Sequence, residues 1–252
     1  MITEFTLKDF ELAKDLIEQE KVSPLTQNNM FFAAVYSLLS AMENFNRQML
    51  LCNWLYKNNF NDPLNVIKDS ENLNKLESYS SLGKNKRERI IKLSHFWIDN
   101  NLTTRIKDDL HGSKQDVFEI RKELDKAKVG LGYKCASLFL RMCGYDNIAP
   151  IDMWTLEFLK HNNVEIKKCY TIGSATEIGG ETISSRGITP KDYVSYEVPL
   201  LDFAKKYSVS IALMQATIYL TNSTWKNATE HTQQTLGFYD SSKSFSMFLE
   251  KE

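Results

Sequence analysis

The sequence predicts an all-α protein, and three observations carry that prediction. Apolar residues recur at i, i+3, i+4 and i+7 through most of the chain, strict alternation is scarce, and Gly, Pro, Ser and Thr collect in the gaps. The periodic segments predict helices over 7–20, 29–58, 63–76, 85–99, 115–128, 133–143, 151–162, 191–206 and 209–223. The first is acidic and amphipathic. The second holds FFAAVYSLLSAM, the longest uncharged apolar stretch, and its periodicity continues past it. The helix over 85–99 opens basic and turns apolar, and that over 133–143 starts directly behind a pair of glycines. The helix over 151–162 follows Pro150, which restricts Ala149 to extended backbone and so suits a short linker aiming a helix N-terminus. The segment 171-TIGSATEIGGETISSRGITP-190 is polar and lacks helical period; a loop is favoured there over a short hairpin or a strand-like flap.

With 252 residues and 42% hydrophobic content, the chain can bury a substantial core, as one large domain or two interlocked smaller ones. The net charge of -1 provides no global basic field, so affinity for nucleic acid has to come from a local patch. Cys52, Cys135, Cys143 and Cys169 form no CxxC pair and no zinc or iron-sulfur spacing, and read as buried free thiols. The N-terminus is acidic where a signal peptide is basic and then apolar, and the longest apolar stretch is too short to span a bilayer. The expectation is a soluble intracellular protein, in the cytoplasm or associated with the nucleoid.

The informative stretch is 129-VGLGYKCASLFLRMCGYDNIAPIDMW-154. A helix ending near Lys128, a tight turn at Gly130 and Gly132, and a new helix from Tyr133 compose a helix-hairpin-helix. Glycine there permits positive φ and close approach of a ligand to bare backbone. The N–H groups opening the second helix carry the positive end of its dipole and suit a phosphate, without reading base sequence. Alone, Gly-x-Gly before a helix fits a plain helical turn as well. A dinucleotide fingerprint is excluded because no strand precedes the turn and no third glycine follows at the required spacing. A Walker loop is excluded because Cys135 follows Lys134 where Ser or Thr is needed.

The run GLGYKCASLFLRMCGYDNIAPID resembles the active-site signature of helix-hairpin-helix DNA glycosylases, most of all the archaeal-type 8-oxoguanine DNA glycosylase/AP lyases. In that family a Gly-x-Gly-x-Lys-x-Ala-Ser hairpin supplies the catalytic lysine and an Ile-Asp beyond it the catalytic aspartate. The resemblance therefore implies that Lys134 is the nucleophile and that Asp152 stabilises positive charge on the sugar. Arg141 and Lys128 are the cations expected beside Lys134. The family fold implied is two helical domains flanking a cleft, here a central domain over 31–146 and a discontinuous terminal domain over 1–30 and 147–252. The implied partner is double-stranded DNA containing a damaged base, bound by a monomer, with no membrane, no metal and no organic cofactor.

Weaker resemblance extends outward. The helix in 31–49 looks like the family helix leading to a loop inserted in the DNA void, which would draw on Met42, Asn44, Phe45 and Asn46, while Met42 and Phe45 read equally as core residues. The cluster Lys84, Lys86, Arg87 and Arg89 reads as a solvated helix face or as phosphate contacts beside Gly130, Gly132 and Tyr133. The segment 193–220 looks like the closing helix pair, and Gln27, Gln215, Tyr219 and Trp225 are the base-pocket candidates. The chain departs from the family at Asp152-Met153-Trp154, where a polar triplet is common and Trp154 reads as helix packing, and in ALMQATIYL, where an acidic residue and a tryptophan are frequent. It also runs on past Trp225, where family members stop and use their terminus near the base. The implied activity is excision of 8-oxoguanine with strand cleavage. The alternatives are the same lysine chemistry on another base, or a DNA-binding module that does no chemistry.

Overall fold

The computed structural model describes residues 4–40, 45–79, 83–112, 114–166, 177–178, 181–182, 188–222 and 245–248. These residues are predominantly helical, as expected: α1 Leu7–Glu20, α2 Gln27–Leu39, α3 Phe45–Lys57, α4 Pro63–Lys68, α5 Leu76–Tyr79, α6 Gly83–Asp99, α7 Leu102–His111, α8 Val117–Lys126, α9 Tyr133–Met142, α10 Met153–His161, α11 Pro190–Lys206 and α12 Ile211–Asn222. Short 3-10 turns cover Asn72–Lys75 and Phe245–Phe248. Within 171–190, where a loop was favoured, β1 Glu177–Ile178 pairs antiparallel with β2 Glu181–Thr182. The Gly179-Gly180 pair between them in sequence is the composition of a two-residue hairpin connection, a signal that the polarity of the segment obscures.

Three other expectations are corrected. The helix expected over 29–58 is two helices, because the last-turn carbonyls of α2 are taken by side chains. Gln48 Nε2 donates to Tyr36 O at 3.1 Å, Ser40 Oγ to Ser37 O at 2.7 Å, and Lys86 Nζ to Leu39 O at 3.4 Å. Nothing in an uninterrupted apolar period announces that stop. The helix expected over 63–76 starts as predicted, with Asp62 accepting from Leu64 N and Pro63 opening the first turn, but breaks after Lys68. There Asn72 bonds the Asp69 carboxylate at 2.7 Å, a local contact that competes with continuing the helix. Finally, α7 was not expected at all: its inward residues Leu102 and Ile106 are few amid TTRIKDDLH, and Asn101 at φ 47 turns the chain into it.

The chain divides into two compact units, Met1–Gln19 with Asp146–Asp240 and Glu20–Tyr145 with Ser241–Glu252. Residues 20–30 and the C-terminal segment therefore group with the central helices, where the terminal domain was expected to claim them. Two bonds account for the first: Val22 N donates to Met142 O at 2.8 Å, and Glu20 pairs with buried Arg141. Aromatic packing accounts for the second, since Phe245 and Phe248 are buried against Phe32, Tyr36 and Tyr56 with ring centroids 5.0 to 6.2 Å apart.

The central unit is organised on α2, which is buried from Asn29 to Leu39 and packs on α9, α3, α6 and α7. A helix apolar all round is a core helix. Phe31, Trp97 and Phe139 lock α2, α6 and α9 edge to face at 5.5 and 5.6 Å. The other unit gathers α10, α11 and α12, with Phe158 packed on Phe203 at 4.9 Å and Phe5 set between Phe158 and Tyr207. No helix among the described residues is long and apolar enough to cross a membrane, and no group of three His, Cys, Asp or Glu among them could hold a metal ion.

Candidate functional site

The hairpin sits between α8 and α9. Its helix ends when Ala127 N reaches back to Glu123 O and Lys128 swings to φ 54. Val129 and Leu131 then plug into the core at 2% and 1% exposure, which pins both ends of the turn and leaves the glycines between and after them. Those glycines serve different needs. Gly130 has φ +92, as expected of the turn, and a Cβ on it would strike the Arg89 side chain at 2.7 Å. Gly132 has φ -67 and is exposed, so the expectation of positive φ does not hold for it; a Cβ there would meet only Asp125 Oδ1 at 3.8 Å. Neither conformation nor internal packing demands glycine at 132.

Gly132 caps α9 without a side-chain hydrogen bond, so the first N–H groups of α9 lack intrahelical acceptors. Tyr133 and Lys134 are the first two residues of this helix, both half-buried. Behind Lys134, Cys135 is buried. Burial pushes its thiol up, while the charges of Lys134 and Arg89 and a hydrogen bond with Ser40 act in the opposite direction. The cation sharing that neighbourhood with Lys134 is therefore Arg89. Of the two expected, Arg141 is buried in its ion pair with Glu20 near the far end of α9, and Lys128 is exposed on the turn.

Sequence reasoning missed Arg121. This α8 residue is 2% exposed; its guanidinium lies 4.8 Å from the Tyr133 ring centroid and 5.6 Å from that of Phe118, and Nη1 donates to Ser137 Oγ at 3.2 Å. The serine of the signature is thus a buried acceptor joining the two helices of the hairpin. An arginine in an amphipathic segment gives no sign of facing inward.

The basic cluster on α6 is not one surface. Lys84 and Arg89 are exposed, but Lys86 is 4% exposed and turned onto the end of α2, and Arg87 is half-buried, 3.8 Å from Glu77. Lys86 reads as basic surface in sequence because its neighbours do; its position on α6 beside Gly83 and Ile90, both buried, puts it inward.

In the other unit, Asp152 caps α10. Its Oδ1 accepts from both Thr155 N and Thr155 Oγ1 at 2.8 Å, and the residue is 7% exposed. The strand of chain before it is held by Tyr193, whose hydroxyl donates to Ala149 O at 2.9 Å and accepts from Ile151 N at 2.7 Å. The chain on either side of Pro150 is fixed at these two points and leads into Asp152, which is extended at φ -106 and ψ -175. Tyr193 was legible only as part of a periodic helix. Trp154, two residues past Asp152, is half-buried.

Gln215 is buried and Tyr219 half-buried one turn apart on α12, hence on one face; Gln27 opens α2 in the central unit, half-buried. Met42, Asn44, Trp225 and Cys169 lie outside the described residues, as do the side chains of Phe45 and Asn46 at the start of α3. Cys52, Cys135 and Cys143 are free and buried, as expected of them.

The family model for 8-oxoguanine DNA glycosylase, of the helix-hairpin-helix type, matches residues 13–209. The fold is similar to that of the 8-oxoguanine DNA glycosylase of Thermotoga maritima, with a TM-score of 0.63 and 19% identity over 86% of this chain and 91% of that one. It is also similar to the Methanocaldococcus jannaschii 8-oxoguanine glycosylase/lyase in complex with a 15mer DNA containing 8-oxoguanine, with a TM-score of 0.60 and 19% identity over 84% and 90% of the two chains. No curated protein sequence matches. The hairpin with its lysine, the capped aspartate and a family match over well more than half of the residues lead to one conclusion: the chain belongs to the helix-hairpin-helix 8-oxoguanine DNA glycosylase family.

Proposed function

We propose that the protein is a bifunctional DNA glycosylase/AP lyase that excises 8-oxoguanine from double-stranded DNA through Lys134. The observation that carries this reading is the placement of Lys134 in the first turn of α9, directly behind a glycine whose bareness the protein itself does not need. A bare, exposed Gly132 at the positive end of the α9 dipole suits a DNA phosphate, and brings the sugar of the adjoining nucleotide toward the lysine.

The target base is inaccessible in a duplex and is flipped out at a cost of about a few kcal/mol, least for a damaged pair. The neutral Lys134 amine attacks C1′ of the sugar; the C1′–N bond breaks and the base leaves with the bonding pair, taking up a proton. Ring opening converts the adduct to a Schiff base. Loss of a proton from C2′ then expels the 3′ phosphate, and water releases the lysine. Asp152 supports the first step by stabilising positive charge on the sugar, with Oδ1 tied into the helix cap and its carboxylate held at a fixed angle. The chemistry is carried by an amine and a carboxylate and calls on neither metal nor organic cofactor. Gly130, Gly132, Tyr133, Lys84 and Arg89 form the DNA-contacting set, and Gln27, Gln215 and Tyr219 are pocket candidates; the protein acts as a monomer inside the cell.

The test is borohydride trapping on a duplex with one 8-oxoguanine opposite cytosine, beside an abasic duplex, an undamaged duplex and the Lys134→Gln variant. A covalent adduct on 8-oxoguanine that vanishes in Lys134→Gln is expected. Trapping on the abasic duplex alone would move the substrate to another base, to which the Met153-Trp154 departure and the longer tail would then be fitted. No adduct on any duplex, with folded DNA-binding protein, would remove the lyase step.

A further inference from the structure

We infer that Arg121 is a positioning residue for Lys134: a single buried guanidinium sets the rotation of α9 about its own axis and so the direction in which the lysine leaves the helix. This rests on the reading of Lys134 as nucleophile.

Tyr133 and Ser137 are four residues apart on α9 and share one face, and Arg121 holds both, by stacking at 4.8 Å and by a hydrogen bond at 3.2 Å. Lys134 lies between them in sequence, about 100° around the helix from Tyr133. Clamping the 133/137 face against α8 therefore fixes the Lys134 side chain to one flank of that contact, about 80° around the helix from its middle. The clamp acts at the start of α9, where the turn before it is otherwise secured by Val129 and Leu131.

The chemistry of the clamp argues for aim over bulk. Burying a guanidinium is costly, and an apolar side chain of similar volume fills such a space as well or better. What an apolar side chain lacks is direction: a planar donor that lies over the Tyr133 ring and bonds the Ser137 hydroxyl ties both to one setting of the guanidinium plane. Ser137 is fully buried, so its hydroxyl has this role in the protein interior and no contact with DNA. Phe118, 5.6 Å from the guanidinium on α8 itself, keeps the arginine aimed at α9.

The experiment is single-turnover borohydride trapping on an abasic duplex at saturating DNA, with equilibrium affinity for that duplex measured alongside, for the full chain and for Arg121→Met, Arg121→Lys and Ser137→Ala. The expected result is a trapping rate lowered about 10- to 100-fold in Arg121→Met with affinity changed less than about threefold, partial recovery in Arg121→Lys, and a smaller loss of the same kind in Ser137→Ala. A wild-type saturating rate in folded Arg121→Met overturns the inference, and so does a loss carried wholly by affinity. Should Arg121→Met not fold, Ser137→Ala decides alone on the same two measurements. Failure of the wild-type protein to trap would strike the lysine reading instead. Amide hydrogen exchange over 133–137 then tests the clamp without chemistry: faster exchange in Ser137→Ala supports it, and unchanged exchange overturns it.

Discussion

The side chain of Arg89 on α6 lies across Gly130 in the hairpin turn, so that a Cβ built on the glycine would come within 2.7 Å of Arg89 Cδ and 2.9 Å of Arg89 Cβ. A helix distant in sequence is thereby seated on the turn that precedes Lys134, and the glycine is required twice, for its φ of +92 and for this contact.

Gly130→Ala is expected to cost about 1–3 kcal/mol, from backbone strain with the collision added. Combining it with Arg89→Ala should relieve the contacts with Cδ and Cγ and leave both the strain and the 2.9 Å contact with Cβ, a partial coupling that a double-mutant cycle by urea denaturation measures. Gly132→Ala is expected to cost no more than about 1 kcal/mol, since φ is ordinary and the added atom touches nothing closer than 3.8 Å, yet to weaken DNA binding sharply. Equal effects of the two substitutions on both stability and affinity would contradict the separate roles.

Asp152→Asn isolates charge from cap. Asparagine caps a helix as well as aspartate does, so stability should change by less than about 1 kcal/mol. The excision rate should fall by about 100-fold or more if the carboxylate stabilises the sugar cation. Thermal unfolding and single-turnover excision, run on the same preparation, check both halves.

Arg89→Gln should leave stability within about 0.5 kcal/mol, because among the described residues the exposed guanidinium makes no ion pair. It should lower the dependence of DNA affinity on salt by about one unit of log-log slope, the loss of one phosphate contact. Lys86→Gln, on the same helix but turned inward, should leave that slope unchanged. Anisotropy titrations across a salt series read both.

Burial raises the thiols of Cys52, Cys135 and Cys143 above their ordinary value of 9.0, and the hydroxyl of Tyr145 above 10.0, the latter helped by Asp109. For groups raised on folding, the folded chain holds protons that the unfolded chain releases. Stability is therefore complete below the ordinary values and is lost as pH climbs through the folded ones. Urea midpoints should stay level to about pH 8 and fall from about pH 9 upward, and the three thiols should resist a thiol reagent until the protein unfolds.

Much of this was legible in the chain. Helices with a one-sided apolar period, such as α1 and α11, were found nearly to the residue, because burial on one face is written in spacing. Where a helix is apolar throughout, as α2 is, periodicity loses its phase and the stop at Ser40 went unseen; side chains of Gln48 and Lys86 make that stop from other helices. Where apolar residues are few, as in α7, the helix itself went unseen.

At the site the division is similar. The local pattern of glycines, Lys134 and Asp152 determined the turn, the helix that follows it and the family, since these depend on residues adjacent in sequence and on backbone preferences that each carries alone. Only tertiary structure decided which basic residues face out, that Lys86 caps α2 while Arg89 crosses Gly130, and that Arg121 and Tyr193 hold the elements bearing the lysine and the aspartate. The physical reason is that a long polar side chain can point to water or to a distant partner with the same sequence around it. The choice is made by whichever buried acceptor or ring the packed fold brings within reach.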